Sequence, residues 1–242
     1  RLRIAPNRVD LLLDFDTHAV RGRRVERFGG AAVACVSGRP HNHRRAFVKR
    51  VEDIVLGTLL TIAFALPMLF IAALVKLDTP GPALYRQRRH GYNNRVFTAL
   101  KFRTMRNDPN APLQQVREND PRITPVGAFL RRTSLDELPQ LFNVLRGEMS
   151  LVGPRPHAVG MKTCERELTE IVAEYAHRHR VKPGITGWAQ VNGSRGPVTS
   201  AASVRRRVRY DLEYVARASL WLDLEILVRS APVLFGDNKV VR

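Results

Sequence analysis

The chain has 242 residues, and its 40 lysines and arginines outnumber its 22 aspartates and glutamates to give a formal net charge of +18. Apolar residues make up 44% of the chain, a share that is typical of folded proteins and excludes wholesale disorder. The two cysteines, Cys35 and Cys164, are too few for a disulfide framework and lack metal-ligand spacing, so we expect a reducing compartment. The excess positive charge indicates a partner that is nucleic acid, an anionic membrane or a phosphorylated substrate.

Residues 1–50 are basic and show little apolar periodicity. The short apolar runs Val9–Leu13 and Ala31–Val36 predict either the last strands of an α/β unit or a loosely ordered basic arm, and the residues leave both open. The run Arg39–Arg50 is interpreted as a linker and surface-binding segment. Because the chain opens at Arg1 without an initiator methionine or an early apolar stretch, we expect the C-terminal part of a longer protein and no signal peptide in the printed residues.

The stretch Ile54–Val75 is a long apolar segment that carries no formal charge. As a continuous helix its roughly 22 residues would extend about 33 Å, enough to cross a bilayer core; the alternative is a buried core helix. Pro67 removes a backbone hydrogen bond, so a kink or break is predicted there. Because both flanks are basic, the positive-inside rule favours a helix–break–helix that enters one leaflet and returns to the cytoplasmic side. The flanking basic residues are Arg44, Arg45, Lys49 and Arg50 before the segment and Lys76, Arg86, Arg88 and Arg89 after it.

Short elements follow the apolar segment. Strands are predicted at Ala83–Arg88 and Arg95–Met105, around a turn at His90–Asn94, and at Thr186–Val191. Helices are predicted at Pro125–Thr133, Leu135–Arg146, Lys162–Arg180, Val204–Ala216 and Leu220–Phe235. The last helix, with Trp221, is interpreted either as lying in the membrane interface or as packing on the protein core. His177 and His179 are interpreted as solvated surface of a charged helix, and His41 and His43 as exposed linker residues.

The stretch Arg131–Pro156 is the strongest candidate for chemistry, because the chain has no P-loop, dinucleotide, nucleophile-elbow or zinc-protease motif. It contains two adjacent carboxylates, Asp136 and Glu137. The residues alone favour a helix cap, with Ser134 as the N-cap and Glu137 three residues later. The alternative is catalysis: carboxylates at the mouth of a helix stay ionised near its free N–H groups, an ionised aspartate can attack phosphorus, and a glutamate can hold a divalent cation.

Basic residues around this pair suit an anionic substrate. Lys101 and Arg103 alternate along a predicted strand, so their side chains share one face. Arg155 stands between Pro154 and Pro156, which fix its backbone, and a fixed guanidinium binds phosphate in a bidentate manner. For any one of these residues a solvated surface charge is the simpler interpretation, but their convergence near one carboxylate pair argues for a site.

Several long motifs, in order along the chain, resemble one protein family. They are KRVEDIVLG, LDTPGPALYRQRRHGYNNRVFTALKFRTM, DPRITPVGAFLRRTSLDELPQLFNVLRGEMSLVGPRP and VKPGITGWAQVNG. Together they resemble the bacterial sugar transferases, monotopic phosphoglycosyl transferases that act on polyprenol phosphate. The resemblance runs from about Lys49 to near the C-terminus. Residues 1–48 resemble, more weakly, the end of the Rossmann-like domain of the longer members.

The resemblance implies a reaction and the residues that carry it. Members transfer a hexose-1-phosphate from a UDP-sugar to undecaprenyl phosphate and release UMP, which starts exopolysaccharide, O-antigen or capsule assembly. It implies that Asp136 is the nucleophile of a covalent aspartyl–phosphosugar intermediate and that Glu137 helps to hold Mg²⁺. The basic positions it ties to the site are Lys101, Arg131 and Arg155, and Asp211 matches a later acidic one. The family's membrane helix breaks at a proline that coincides with Pro67, and its usual preceding serine is Leu66 here.

We therefore predict a helix-rich α/β fold: a monotopic, membrane-associated domain over residues 49–242, with a re-entrant helix–break–helix at about 51–76 and a small sheet. Residues 1–48 are predicted to be the end of a preceding Rossmann-like domain or a basic linker. The predicted partners are a UDP-sugar, undecaprenyl phosphate and an anionic membrane rather than nucleic acid, with Mg²⁺ as the cofactor. We expect the bacterial inner, cytoplasmic membrane, with the active site on its cytoplasmic face. Homo-oligomerisation stays open, and the competing hypotheses are a non-catalytic membrane scaffold of the same fold and a basic nucleic-acid-binding module.

Overall fold

The structure is a computed structural model that describes residues 9–12, 25–28, 31–37, 43–106, 120–163 and 166–232. Near the N-terminus the strands β1 (Val9–Leu12), β2 (Val25–Phe28) and β3 (Ala31–Ser37) form an antiparallel sheet in the order β1-β3-β2. Strands therefore occupy both predicted apolar runs, although Leu13, like His41 and Cys164, lies outside the described residues. The assignment of residues 1–48 to the end of a preceding domain stays a prediction.

The apolar segment folds as two helices, α1 (His43–Ala63) and α2 (Ala65–Asp78), bent by 59° at the break between them. Pro67 stands in the first turn of α2 and has no N–H to donate to the carbonyl of Ala63, one turn earlier. The predicted break is therefore present, but its corner lies at Phe64 rather than at Pro67. No side chain caps α2 at Phe64, and Leu66, where the family has serine, is 78% exposed.

The basic run before the apolar segment belongs to the same helix. The interpretation of Arg39–Arg50 as a linker is wrong from His43 onward, because α1 begins there; residues 39–42 lie outside the described residues. Arg50 holds this end of α1 to the fold by donating to the carbonyls of Val144 and Leu145, both at 2.7 Å.

One side of the helix pair packs against protein, and the other side is exposed. Buried residues of α2 and their partners form a cluster of Met68, Ile71, Val75, Phe102 and Leu130. Apolar side chains on the outer side are each more than half exposed: Leu59, Ile62, Leu66, Leu69 and Phe70. By length and composition no single described helix suffices to cross a membrane, and the bent pair meets that test together. Exposure of so many large apolar side chains argues against the alternative of a buried core helix.

A hairpin and two helices follow. Strands β4 (Leu84–His90) and β5 (Val96–Phe102) pair antiparallel, as predicted. Helix α3 (Pro125–Thr133) has the predicted bounds, because Thr124 caps it by accepting from the N–H of Gly127 and Pro125 suits its first turn. The helix predicted over Leu135–Arg146 is instead a 3₁₀ turn at Leu135–Glu137 and helix α4 (Gln140–Arg146).

Two predicted elements of the C-terminal half are wrong. Lys162–Arg180 is not one helix: it contains β7 (Lys162–Thr163), β8 (Arg166–Glu167), α5 (Leu168–Ile171) and a 3₁₀ segment, Ala173–Arg180. Thr186–Val191 is not a strand, because β9 (Gly184–Thr186) ends where α6 (Trp188–Val191) is about to begin. Gly187 separates them, and a Cβ there would lie 2.2 Å from the carbonyl oxygen of Gly153. These turns bring β9 parallel to β6 (Ser150–Val152).

Two helices close the described chain, α7 (Ala201–Arg217) and α8 (Leu220–Ser230), capped by Ser200 and Ser219. Helix α8 satisfies parts of both interpretations offered for it: Ile226 is fully buried in the core, whereas Trp221 is 80% exposed. Residues 233–235 lie outside the described residues. The fold is thus helix-rich with small sheets, as predicted, while its association with a membrane stays a prediction.

Candidate active site

Asp136 and Glu137 stand in the 3₁₀ turn between α3 and α4. Helix α3 ends at Ser134, whose φ of 58° is left-handed and turns the chain. The predicted capping box is wrong, because Ser134 stands at the end of α3, before the dyad formed by Asp136 and Glu137. Its side chain caps no N–H, and its hydroxyl accepts from Arg195 at 2.6 Å. Both carboxylate residues are only 8% exposed, so their charges need partners within the protein.

Glu137 is clamped by two cations from distant parts of the chain. Lys101, on β5, donates from Nζ to Oε1 at 2.7 Å. Arg155 donates from Nη1 to Oε2 at 3.0 Å and from Nη2 to Oε1, so the pairing is bidentate. Burial alone would raise the pKa of Glu137, but the charges and hydrogen bonds of Arg155 and Lys101 hold that pKa well below its usual range. Glu137 is therefore a fixed anion with both carboxylate oxygens engaged.

Asp136 lies beside this clamp with weaker contacts. Its Oδ2 is 3.7 Å from Lys101 Nζ, a distance within ion-pair range but too long for a hydrogen bond. Burial raises the pKa of Asp136, and the charge of Glu137 adds to that rise, while Lys101 and Arg131 oppose it. The prediction that helix N–H groups keep Asp136 ionised is therefore wrong, because nearby cations are what favour its charged form. The two neighbours in sequence are thus electrostatically different.

Arg131 and Arg89 complete a basic ring around the dyad. Arg131 lies in the last turn of helix α3 and favours the ionised form of Asp136. Arg89, on β4, was predicted only as part of a basic flank, yet burial and the charge of Arg155 lower its pKa to about 10, and both carboxylates raise it again. With Lys101 and Arg155, these residues set four cations against two carboxylates. The site therefore favours an additional anionic group.

Arg103 is not brought to the dyad, although sequence alternation with Lys101 placed both on one strand face. Strand β5 ends at Phe102, and the buried Arg103 donates to three carbonyls at the end of α2. These are Val75 at 3.1 Å, Thr79 at 2.6 Å and Pro80 at 2.7 Å. Arg103 thus ties the last turn of the second apolar helix to the turn that follows it.

Asp211 also makes no contact with the dyad; it is linked to the loop of Arg155 through the side chain of Arg178. Its Oδ2 is 2.8 Å from Nη2 of Arg178, and the two side chains are 2% and 1% exposed. Arg178 in turn donates to the carbonyl of Arg155 at 2.6 Å. Sequence reasoning missed Arg178, because the run around it was interpreted as a solvated helix. The same interpretation is wrong for His179, which is buried and stacks on His90 at a centroid distance of 6.1 Å.

The dyad could hold a divalent cation only if the substrate supplies further ligands. Mg²⁺ commonly takes one or two carboxylates and completes its shell with phosphate oxygens and water. Among the described residues, no group of three or more His, Cys, Asp and Glu side chains could hold a metal. Both oxygens of Glu137 are engaged, which leaves Asp136 as the less occupied carboxylate. The donors present suit a cation that is shared with a diphosphate, rather than one held by the protein alone.

Comparison with known proteins shows similarity to one protein family. The bacterial sugar transferase profile matches residues 44–237. The undecaprenyl-phosphate glucose phosphotransferase of Komagataeibacter xylinus is 47% identical over 221 residues, which are 90% of this chain and 41% of that protein. The UDP-glucose:undecaprenyl-phosphate glucose-1-phosphate transferase of Xanthomonas campestris pv. campestris is 43% identical over 242 residues, 98% of this chain and 49% of that one. The exopolysaccharide production protein PSS of Rhizobium leguminosarum bv. phaseoli is 47% identical over 182 residues, 74% of this chain and 91% of that protein. The chain spans less than half the length of the first two relatives, and by its profile match and these identities it belongs to the bacterial sugar transferase family.

Proposed function

We propose that the chain transfers a hexose-1-phosphate from a UDP-sugar to undecaprenyl phosphate and releases UMP. The observation that carries the proposal is the asymmetric dyad: Glu137 is neutralised by a bidentate arginine and a lysine, whereas Asp136 keeps a carboxylate without a hydrogen bond from either. One group is fixed as an anion and the other is left to react. The names of the Komagataeibacter and Xanthomonas relatives make UDP-glucose the first donor to test.

In the first step, the carboxylate of Asp136 attacks the β-phosphorus of the UDP-sugar in line with the anhydride bond. A bond forms between an Asp136 oxygen and that phosphorus, the anhydride bond breaks, and UMP leaves with the electron pair. Lys101 lies within ion-pair distance of both the attacking carboxylate and Glu137. Its positive charge therefore stabilises the negative charge that develops on the phosphoryl oxygens. Arg89 and Arg131 add further positive charge to the site.

In the second step, a phosphate oxygen of undecaprenyl phosphate attacks the phosphorus of the aspartyl adduct. The bond to Asp136 breaks, its carboxylate is regenerated, and the diphosphate-linked sugar remains on the lipid. Glu137 acts in both steps by holding Lys101 and Arg155 in place rather than by reacting, since its own oxygens are engaged. Every group that changes covalently in this sequence is the substrate or Asp136.

We include Mg²⁺ in the proposal as a ligand of the dyad. Asp136 would hold it together with the diphosphate oxygens, and Glu137 could add the lone pair that its single hydrogen bond leaves free on Oε2. The cation would supply charge neutralisation there. Without it, the negative charges of Asp136 and of the diphosphate would be offset by the basic residues alone. UMP release should therefore cease when a chelator removes the divalent cation and should return when Mg²⁺ is added back, whereas unchanged turnover in the chelator would remove the cation from the proposal.

We further propose that the bent pair α1 and α2 enters the cytoplasmic leaflet of the bacterial inner membrane and returns, so that the dyad faces the cytoplasm. The exposed apolar side of the pair and the basic residues on both flanks support this topology. Single cysteines at Ala46 and Thr79, one in each flank, report it in oriented vesicles. Both should react with a membrane-impermeant thiol reagent from the cytoplasmic side, and labelling from opposite sides would overturn the topology.

The decisive experiment measures UMP release from a panel of UDP-hexoses with undecaprenyl phosphate in detergent micelles. Asp136→Asn should remove turnover without loss of folding, and intact mass should show a phosphosugar adduct on the unaltered protein but not on this variant. Glu225→Gln, which alters a half-exposed carboxylate outside the site, is the control for loss of one negative charge. Absence of turnover with every sugar would favour a scaffold, and salt-dependent binding to random DNA without affinity for lipid would favour the nucleic-acid hypothesis.

A further inference from the structure

The loop that carries Arg155 is held mainly through its carbonyl groups. Pro154 and Pro156 have no backbone N–H, so neither neighbour of Arg155 can donate a backbone hydrogen bond. Instead, the carbonyl of Pro154 accepts from the N–H of Gly184 at 3.0 Å, and that of Pro156 accepts from Arg89 Nη1 at 2.7 Å. The carbonyl of Arg155 itself accepts from Arg178 Nη2 at 2.6 Å.

Arg178 is a buried hub behind the site. Besides the carbonyl of Arg155, its guanidinium contacts Asp211 Oδ2 at 2.8 Å, His157 Nδ1 at 2.8 Å and Tyr175 Oη at 3.2 Å. His157 accepts at Nδ1, which requires a neutral ring, and burial together with the charge of Arg178 lowers its pKa well below its usual range. A charged guanidinium with this many fixed partners has little freedom to move.

We propose that Arg178 is a positioning residue for the transfer reaction: anchored by Asp211, it fixes the backbone of Arg155 and thereby the bidentate clamp on Glu137. This inference rests on the proposed function and assigns a role to Asp211 as well. Asp211 acts on the site through Arg178 and Arg155 rather than by touching the diphosphate. The proposal also explains why a residue so far from the dyad is fully buried and charged.

A purely structural role is the competing explanation, because breaking a buried ion pair destabilises most folds. Arg178→Lys separates the two. It keeps the charge, but Nη2 of Arg178 makes both the contact with Asp211 and the bond to the carbonyl of Arg155. The lysine side chain is one atom shorter than the path to Nη2, so its ammonium group cannot hold both partners at these distances. We expect a folded protein whose kcat falls about 10- to 100-fold, as is usual when a supporting residue is lost or a catalytic group is displaced by about 1 Å. Tyr175→Phe is the matched control, since it removes a contact in the same cluster but leaves the Arg155 bond, and its kcat should change less than about threefold.

The test that a structural role would not satisfy is a double-variant cycle with Arg155→Lys. If Arg178 acts through Arg155, Arg178→Lys should cost about 10- to 100-fold in the unaltered protein but less than about twofold once Arg155 is already lysine. The proposal would be overturned by a folded Arg178→Lys protein with unaltered kcat, or by a double variant in which the kcat losses of the two single variants multiply. Thermal unfolding in detergent confirms that each variant is folded.

The same cycle is measured by UDP-glucose binding in the Asp136→Asn background, which needs no turnover. Arg178→Lys and Arg155→Lys should there weaken binding to a similar extent and without additivity. If the unaltered chain releases no UMP from any donor, the proposed function fails, and the titration still decides whether Arg178 and Arg155 work as a unit. If UMP is released and the cycle is additive, only the positioning role fails.

Discussion

Removal of the Lys101 charge should change the pH dependence of the reaction, not only its rate. Lys101 Nζ is 3.7 Å from Asp136 Oδ2, and the side chains are 14% and 12% exposed. Two unit charges about 4 Å apart interact by about 4 kcal/mol at an effective dielectric constant of about 20. Because solvent reaches part of both groups, we take about half of that, about 2 kcal/mol, which corresponds to a rise of about 1.5 units in the pKa of Asp136. The protonated carboxyl is no nucleophile, so the acid limb of the rate profile should move to higher pH by that amount.

The assay is the initial rate of UMP release between about pH 5 and pH 9, for the unaltered protein and for Lys101→Met. Burial already raises the pKa of Asp136, so the unaltered protein should itself show an acid limb above the usual range of an aspartate. Arg209→Met, which removes an exposed cation with a 71% exposed side chain, is the control and should leave the limb in place. A uniform loss of rate, with the acid limb unmoved, would show that Lys101 does not set the ionisation of Asp136 and would refute the reasoning.

Three further outcomes follow from the contacts. Arg103→Met should lower the free energy of unfolding by about 2 to 3 kcal/mol in urea titrations, because the carbonyls of Val75, Thr79 and Pro80 lose a charged donor. The pKa of His179 is lowered to about 3 by burial and by Arg178 from its ordinary 6.5, so between these values the unfolded chain binds a proton that the folded chain does not. The contribution of the neutral His179 ring to the free energy of unfolding is therefore fully present above pH 6.5 and is lost as the pH falls. In urea titrations at several pH values, His179→Gln should reduce the slope of the free energy of unfolding against pH by up to about 1.4 kcal/mol per pH unit. Pro67→Ala restores an N–H for the carbonyl of Ala63 and should lessen the bend at the break, moving a thiol label beyond α2 out of reach from the cytoplasmic side; unchanged labelling would show that the proline does not set the corner.

The parts of the fold that were predicted from sequence depend on local signals. Helix α3 has its predicted bounds because its cap Thr124 and its first residue Pro125 are adjacent in the chain and act within one turn. The β4–β5 hairpin was predicted from two strands on either side of a turn at His90–Asn94, and in that turn Asn93 and Asn94 adopt positive φ. The break in the apolar segment was predicted for the same reason, since the missing N–H of Pro67 is a property of one residue.

The parts that were not predicted depend on distant partners. Arg178 and His179 lie in a charged run with no apolar stripe, and sequence alone gives such residues to solvent. Arg178 is buried because Asp211 from α7 and the carbonyl of Arg155 supply compensating partners far along the chain, and His179 lies against the rings of His90 and Tyr175. Arg103 was wrongly predicted at the site for a similar reason. The strand ends at Phe102, just before Arg103, and the carbonyls of Val75, Thr79 and Pro80 at and after the end of α2 accept from its guanidinium.

The dyad shows how distant partners also decide chemistry. Asp136 and Glu137 are neighbours of the same charge in one turn, and nothing local assigns them different roles. The longer side chain of Glu137 meets Arg155 and Lys101, which lower its pKa, whereas the shorter Asp136 stays 3.7 Å from the lysine and its pKa is raised by burial. A nucleophile must keep a lone pair free of strong hydrogen bonds, and a carboxylate that holds two cations in place must not. The proposed division of labour in this site would therefore follow from side-chain length and from where Lys101 and Arg155 are fixed. By the same proposal, an arginine buried behind the loop would act on the reaction without touching it.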